Sequence, residues 1–304
     1  MSDDKFSITI EWPTLSLYIG LYYFWLLLTW QAGSGALWPY ACLWLLVTLH
    51  SSLQHEAIHG HPTRSLRANT LLASPGIGLL LPFQRFKDLH LQHHRNESLT
   101  DPFDDTESYF MARKQWEELQ PLHRKLLTVN NTLAGRLILG PWIMYCRFYR
   151  SEWKRVYADR NRSVAIAWLK HAVSVVPVIL WLLLADMPLL LYMLAVVWPA
   201  TSLLLLRSYT EHLPEKDISE RTAIVTSSKF MGLLFLNNNL HIVHHDNPAL
   251  PWYRIPNRYE LHYAPGSRKN VITGYWSLIR KHAFTPRFPV AHPFLRTSHH
   301  DKLP

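Results

Sequence analysis

Cysteine is scarce in this chain of 304 residues, which contains only Cys42 and Cys146. Two cysteines cannot build a disulfide framework, and they cannot supply the four thiolates of an iron–sulfur cluster. No haem motif is visible in the sequence either. We therefore expect that any electrons used by the protein come from a separate donor.

Lysine and arginine are missing from two long regions, 6–63 and 171–206. Apolar residues are concentrated in these same regions, so the mean hydropathy stays near zero although 48% of the residues are hydrophobic. The net charge of +9 then fits a topology signal, with basic residues on one side of a membrane, better than a nucleic-acid surface. We predict a membrane protein with a soluble face and expect no nucleic-acid partner.

Four apolar segments are long enough to cross a bilayer. They span about residues 13–31, 36–54, 164–185 and 188–206. The first is too long for a signal peptide and lacks a cleavage site, so we expect it to be retained. Short turns pair the segments into two hairpins, which leaves 55–163 and 207–304 on one side.

These segments predict an all-α membrane protein with four transmembrane helices in two hairpins and a helical cap. We expect a single domain over residues 1–304. Two shorter apolar stretches, 71–83 and 133–148, are interrupted by glycine and proline, and we expect them to lie at the membrane interface.

Three histidine blocks stand out in the polar regions. They are His55-Glu56-Ala57-Ile58-His59, His90-Leu91-Gln92-His93-His94 and His241-Ile242-Val243-His244-His245. Positions i, i+3 and i+4 share one face of a helix, so each of the last two blocks is expected to aim three imidazoles at one point. Neutral imidazole suits iron, zinc, copper or nickel, and eight imidazoles exceed what one zinc ion uses. The blocks predict two metal ions.

Two other functions compete for the same histidines. The first block matches the H-E-x-x-H signature of zinc metalloproteases, with Glu56 as the base. That interpretation leaves six histidines of the other two blocks without a role. A metal transporter would place its ligands inside the crossings, where only His50 and His171 occur. We therefore favour the metal centre over both.

Polar neighbours of the blocks are candidates for orienting the imidazoles. His61 lies two residues beyond His59 and should point away from it, so a supporting role is expected. Asp101, Asp104 and Asp105 belong to an acidic loop that either orients imidazoles or is an ordinary polar loop. Asn238 either bridges to the site or contributes plain loop polarity. Glu211 adjoins a histidine in sequence, but its pairing cannot be derived from the sequence.

The order HEAIH, HLQHH, HIVHH within a four-crossing plan resembles the integral-membrane fatty acid desaturase superfamily, from about Leu15 to Arg258. The superfamily includes related hydroxylases and carotenoid ketolases. The resemblance implies two non-haem irons on the cytosolic face, and a lone histidine after the fourth crossing, which His212 matches. The implied metal ligands are His55, His59, His90, His93, His94, His212, His241, His244 and His245.

The resemblance also implies an activity. It points to a membrane-bound fatty acyl desaturase that uses O2 and external electrons to introduce a double bond. The implied donor is a ferredoxin, a rubredoxin or a cytochrome b5-like protein, and the implied location is a bacterial cytoplasmic membrane. Hydroxylation, carotenoid ketolation and alkene-forming decarboxylation stay open, and residues 245–253 also resemble carotenoid ketolases.

Overall fold

The computed structural model describes residues 10–96, 98–263 and 270–295, and these residues are mostly helical. The helices are α1 (Trp12–Gly33), α2 (Trp38–Ile58), α3 (Leu66–Ala73), α4 (Phe83–His94), α5 (Arg113–Glu118), α6 (Pro121–Asn130), α7 (Leu133–Ile138), α8 (Gly140–Trp153), α9 (Arg162–Leu184), α10 (Leu189–Tyr192), α11 (Trp198–Glu211), α12 (Lys229–Leu234), α13 (His241–Asp246), α14 (Ile255–His262) and α15 (Gly274–His282). The strands are β1 (Ile224–Thr226) and β2 (Val271–Thr273).

Two π turns and two short 3-10 turns complete the described secondary structure. The π turns are Lys154–Ala158, after α8, and Met193–Val197, which joins α10 to α11. The 3-10 turns are Ile218–Glu220 and Trp252–Arg254. The helical content agrees with the predicted all-α class, with the two short strands as an addition.

Two helices of the described chain are long and apolar enough to cross a membrane. They are α9 and the continuous helix Leu189–Glu211, which comprises α10, the π turn and α11. Only 22% and 33% of their most apolar windows are buried inside the molecule, whereas the core helix of a soluble protein is mostly buried. The remaining apolar surface needs an apolar surrounding, and a bilayer provides one. These helices occupy the third and fourth predicted crossings.

The first two predicted crossings correspond to α1 and α2, of 22 and 21 residues. Both helices contain several tryptophan and tyrosine residues, whose polar N–H and O–H groups lower the hydropathy. Their mean hydropathy is therefore too low for them to count as candidate membrane spans as α9 does. Helices are present at all four predicted positions, while two of them are candidate spans.

The chain divides into two compact units, and the first contains the described residues up to Lys87 together with Arg162–Ala200 and Pro248–Arg254. In this unit α1 packs against α2. The buried residues of α1 recur at helical spacing along one face, namely Tyr18, Leu21, Trp25, Leu28 and Ala32. The polar groups on this face have partners, since the Trp25 indole donates to the Tyr192 hydroxyl at 2.9 Å.

Gly33 marks a close approach between two chain turns of the first unit. A Cβ atom at Gly33 would lie 1.5 Å from the carbonyl oxygen of Ala185. The turn after α1 and the turn after α9 therefore lie at the same end of this unit. Helix α2 runs about 30 Å away from that end, by its 1.5 Å rise per residue, and reaches His55 near its C-terminus.

The second unit contains Asp88–Asn161, Thr201–Asn247 and the described residues from Ile255 onward. Its two strands pair in parallel, with Ile224 opposite Val271 and Thr226 opposite Thr273. This pairing joins the chain before α12 to the chain before α15. Helices α13 and α15 contact β1 in the same unit.

A C-terminal strap, which we define as residues 288–292, crosses the acidic loop of the second unit. The Met111 amide donates to the Val290 carbonyl at 3.0 Å, and the His292 amide donates to the Met111 carbonyl at 2.9 Å. The His292 side chain is buried, and its Nε2 atom lies 3.0 Å from the Thr100 hydroxyl oxygen. The strap therefore fixes the chain that follows α4.

The close approach at Gly33 predicts a specific loss of stability. Gly33→Ala should destabilise the protein by about 1–3 kcal/mol, because the added methyl group overlaps a backbone oxygen. Gly20→Ala, in the middle of the same helix with no atom within 4 Å of the new methyl, is the matched control and should stabilise by about 0.5–1 kcal/mol. Thermal unfolding in detergent measures both, and equal midpoints for the two variants would contradict the packing described.

Candidate metal centre

Four imidazoles of the second unit converge on one point. They belong to His93 of α4, His212 directly after α11, and His241 and His245 of α13, and one ring nitrogen of each lies within 4.8 Å of the others. The Nε2 atom of His241 is 3.0 Å from that of His212 and 3.1 Å from that of His245. Nitrogens that surround one ion at about 2.1 Å lie about 3 Å apart, so the spacing fits a metal ion.

Three more imidazoles form a second group in the same unit. The Nε2 atom of His94 lies 3.0 Å from that of His90 and 3.0 Å from that of His244. The two groups are neighbours, because the rings of His94 and His245 stack with centroids 4.4 Å apart. The second unit thus offers two adjacent places for a metal ion.

Helix geometry divides each histidine block between the two groups. In α4, His93 belongs to the first group, while His90 and His94, four residues apart, belong to the second. In α13 the division is reversed, with His241 and His245 in the first group and His244 in the second. The expectation that each block aims its three imidazoles at one point is therefore corrected, since each block serves both groups.

Carboxylates on the outer side of α4 set the orientation of its imidazoles. The Nδ1 atom of His93 donates to Asp105 Oδ1 at 2.6 Å, and the Nδ1 atom of His90 donates to Glu107 Oε1 at 2.7 Å. A ring whose Nδ1 carries the proton directs the lone pair of Nε2 to the other side. The acidic loop therefore turns both Nε2 atoms toward the converging nitrogens.

His241 has a different partner. Its Nδ1 atom lies 3.1 Å from the amide oxygen of Asn238 and 3.5 Å from Glu211 Oε1. The Asn238 amide group donates to Glu211 at 3.2 Å, and Arg207 forms an ion pair with the same carboxylate at 2.8 Å. The buried Asn238 amide and Glu211 carboxylate, with the partly exposed Arg207 guanidinium, thus hold this ring.

Burial keeps most of these imidazoles neutral. Burial and the charges of neighbouring histidines lower the pKa of His94 to about 3 and the pKa of His212 to about 4. The same causes lower the pKa values of His241 and His245 well below the usual histidine range. All four rings are therefore neutral at pH 7, which is the form that binds a metal ion.

His93 is the exception among these imidazoles. Burial alone would lower its pKa, but the carboxylates of Glu107 and Asp105 outweigh burial and raise the pKa to about 9. Its Nε2 atom is buried and has no hydrogen-bond partner among the described residues. A buried polar atom without a partner lowers the stability of the fold, and a metal ion bound to this nitrogen would supply the missing partner. The donor set, made of imidazoles held by carboxylates, suits a first-row metal such as iron.

The first histidine block lies in the first unit. His55 and His59 are four residues apart along the chain, and their rings lie side by side with centroids 4.9 Å apart. The carboxylate of Glu56 between them accepts from the backbone amide of Trp252 at 3.1 Å and lies 4.0 Å from the Nδ1 atom of His55. Within its own unit this block therefore offers two ring nitrogens.

The other candidates from the sequence have separate roles. His61 pairs with Glu11 at 2.8 Å in the first unit. Asp101 accepts from the backbone amides of Phe103 and Asp104 and shapes the loop. Asp104 is exposed and contacts no histidine among the described residues. Asn238 contacts an imidazole directly, because its amide oxygen lies 3.1 Å from the Nδ1 atom of His241.

Glu107 is the residue that sequence reasoning missed. Glu107 lies two residues after Asp105 in the same acidic loop, and His90 and His93 lie close together on one helix. Two acids near two histidines are the signal that could have found Glu107, but an acidic loop offers several such pairs of acids. Only the folded loop selects the pair that reaches the rings.

The strap reaches the metal centre through Thr100. The Thr100 amide donates to Asp105 Oδ2 at 2.7 Å, and its hydroxyl meets His292. A continuous path of hydrogen bonds therefore runs from the strap through Thr100 and Asp105 to His93. His292 is far from the histidine blocks in sequence, and no motif marks it.

A small cavity lies against the outer side of the carboxylates. It has a volume of about 40 Å³. A water molecule needs about 10–15 Å³ measured in this way, so the cavity has room for one or a few. Its lining residues are Thr100, Asp105, Glu107, Ser108, Tyr109, Phe110, Ser208, Glu211 and His212.

The role of the acidic loop predicts the effect of removing one charge. Asp105→Asn should weaken metal binding about 10–100-fold, because the His93 ring loses the carboxylate that orients it and raises its basicity. The measurement is iron per protein after dialysis against graded chelator. Asp104→Asn changes the same charge in the same loop without a histidine contact and should retain iron like the wild type; equal retention by both variants would contradict the assignment.

Comparison with known families agrees with this centre. The model of the fatty acid desaturase family matches residues 28–273, about four fifths of the chain, including every histidine of the two groups. Comparison with individually curated proteins gives no match. The matched family is membrane-associated and implies oxidoreductase activity, iron use and a lipid substrate. The chain belongs to the fatty acid desaturase family.

Proposed function

We propose that this protein is a membrane-bound desaturase that introduces a double bond into a fatty acyl chain at a histidine-ligated di-iron centre. The observation that carries the proposal is the pair of adjacent histidine groups whose ring nitrogens lie about 3 Å apart and whose outer nitrogens meet carboxylates. Family membership supports an oxidoreductase that acts on lipids.

The proposed ligands are nine histidines. One iron is held by His93, His212, His241 and His245, and the other by His90, His94 and His244. His55 and His59 alone offer two nitrogens, fewer than a metal ion takes in known sites. We therefore assign them to the same di-iron centre, as the resemblance of the first block implies.

The proposed topology has four crossings, with α1 and α2 as one hairpin and α9 with Leu189–Glu211 as the other. Two of these helices are candidate spans by length and composition. The common end of the two hairpin turns at Gly33 and Ala185 supports the same arrangement for α1 and α2. The histidine blocks then face the cytosol of a bacterial cell.

The bound irons would supply O2 activation and the redox change that breaks a C–H bond. Written in balance, –CH2–CH2– with O2, two electrons and two protons gives –CH=CH– and two waters. The chain's residues orient the ligands through Asp105, Glu107 and Asn238, and burial keeps His94, His212, His241 and His245 neutral. Burial of the histidines keeps bulk water away from the reacting carbon. The electrons come from a ferredoxin, a rubredoxin or a cytochrome b5-like donor.

The competing functions have less support. A zinc protease would need Glu56 to face the metal-bound water, but its carboxylate accepts from the Trp252 amide. A transporter would need free ligands inside the crossings, but His50 meets the Tyr22 hydroxyl at 3.1 Å and His171 meets the Leu79 carbonyl at 2.9 Å. Each of these histidines has a local structural partner.

The proposed topology predicts which sites a membrane-impermeant thiol reagent reaches. In a background with Cys42 and Cys146 replaced by serine, single cysteines at Ser34 and Asp186 should react from outside intact cells. Single cysteines at Lys114 and Lys125 should react only after the membrane is opened. Labelling of all four positions from the same side would refute the four-crossing arrangement.

The proposed reaction predicts a specific product. Expression in a host with saturated lipids, with oxygen and a compatible donor, should yield acyl chains two mass units lighter, because hydrogen is removed and no oxygen is added. Mass spectrometry of the extracted lipids detects the change. A hydroxylase or ketolase would give oxygenated products, and a decarboxylase would release a hydrocarbon one carbon shorter.

Variants separate the ligands from other histidines in the same experiment. His55→Ala and His245→Ala should each abolish the product and lower the iron content, because each removes a proposed ligand. His123→Ala changes an exposed histidine and should leave the product unchanged. Oxygenated lipids without any new double bond would reject desaturation and leave the metal ligands intact.

A further inference from the structure

Helix α8 and the π turn after it carry an unusual surface. Between Gly140 and Arg162 the chain has six basic and two acidic residues, together with six aromatic residues. Trp142, Trp153 and Tyr157 are 64%, 65% and 62% exposed, although large aromatic side chains are normally covered.

The surface of α8 is divided into stripes by helical spacing. A buried stripe of Pro141, Tyr145 and Glu152 faces the second unit. This stripe packs against the first turn of α11, because the Tyr145 hydroxyl lies 2.7 Å from the Thr201 hydroxyl. An exposed aromatic stripe follows next to it, and Trp153 and Tyr157 of this stripe contact each other with ring centroids 4.0 Å apart.

A basic stripe runs beside the aromatic one. Arg147, Arg150 and Lys154 are three and four residues apart, so they share a face, and all are exposed. In the described part of the chain no carboxylate forms an ion pair with these three side chains. The nearby Glu152 is buried and pairs with Arg155 at 3.9 Å. Three cations thus remain available to an external anion.

The chain places this surface at the start of an apolar helix. The π turn ends at Ala158 and α9 begins at Arg162, so at most about 14 Å of chain separates them. If α9 crosses a membrane, its first residue lies at the membrane surface. The end of the π turn then lies within about 14 Å of the headgroups along the chain.

We propose that α8 and the π turn bind the surface of an anionic bilayer, with the aromatic stripe between the acyl chains and the headgroups and the basic stripe on the lipid phosphates. Tryptophan and tyrosine favour this boundary, and long basic side chains reach from it to the headgroups. The proposal uses the membrane location of the protein and is independent of the reaction it catalyses. The ligand is an anionic phospholipid such as phosphatidylglycerol.

The test uses the full-length protein in detergent micelles with brominated lipid, which quenches tryptophan fluorescence at close range. The signal of Trp153 is the difference between wild type and Trp153→Phe. Brominated phosphatidylglycerol should quench it more strongly than brominated phosphatidylcholine at the same mole fraction. Each exposed cation near such a surface contributes about a fivefold preference for anionic lipid, and added salt should reduce that preference.

The variant R150Q/K154Q should lose the preference for phosphatidylglycerol by roughly tenfold or more. K114Q/K125Q removes two exposed cations elsewhere and should keep it. Both variants must retain the wild-type thermal unfolding midpoint, which confirms folding; if the double glutamine variant does not fold, the single variants R150Q and K154Q replace it, and each should lose about fivefold of the preference.

Three outcomes would overturn the proposal. They are equal quenching of Trp153 by the two lipids, an unchanged preference in R150Q/K154Q, and no quenching by either lipid because a second copy of the chain covers the surface. The assay requires no turnover, so a lack of desaturase activity would not affect it.

Discussion

The two histidine groups depend on one constraint, the orientation of imidazole rings whose Nε2 atoms lie about 3 Å apart. If the Nε2 atoms carry no proton, their lone pairs face one another without a hydrogen bond between them. If the rings are protonated, their positive charges repel one another. The carboxylates of Asp105 and Glu107 resolve this problem for His93 and His90, because they accept hydrogen bonds from the Nδ1 atoms on the outer side and turn the Nε2 atoms inward. The acidic loop, α4 and α13 are therefore parts of one electrostatic arrangement.

The sequence predicted the large features of this arrangement for simple reasons. Helical spacing placed histidines on shared faces, and the absence of lysine and arginine marked the apolar segments. The fold also needs the close packing of Gly33 against Ala185. The sequence does not reveal this contact, because a single glycine at a helix end is also a common way to end a helix. Prediction succeeded where a periodic pattern repeats and stopped where one atom-scale contact decides.

The partners of the histidines show the same limit. His90 and His93 could pair with any acid of the following loop, and only the path of the folded loop chooses Glu107 and Asp105. Asn238 was a candidate among three consecutive asparagines, and the choice depends on Glu211 beside it. Long-range contacts of this kind come from tertiary packing, which local sequence does not encode.

The strap has a consequence for the biosynthesis of the protein. A ribosome has made both α4 and α13 well before it adds residues 288–292, and Thr100 lacks its His292 partner until then. The hydrogen-bond path from His292 through Thr100 to Asp105 is therefore complete only after the strap has been synthesised, although every histidine of the two groups precedes the strap in the chain.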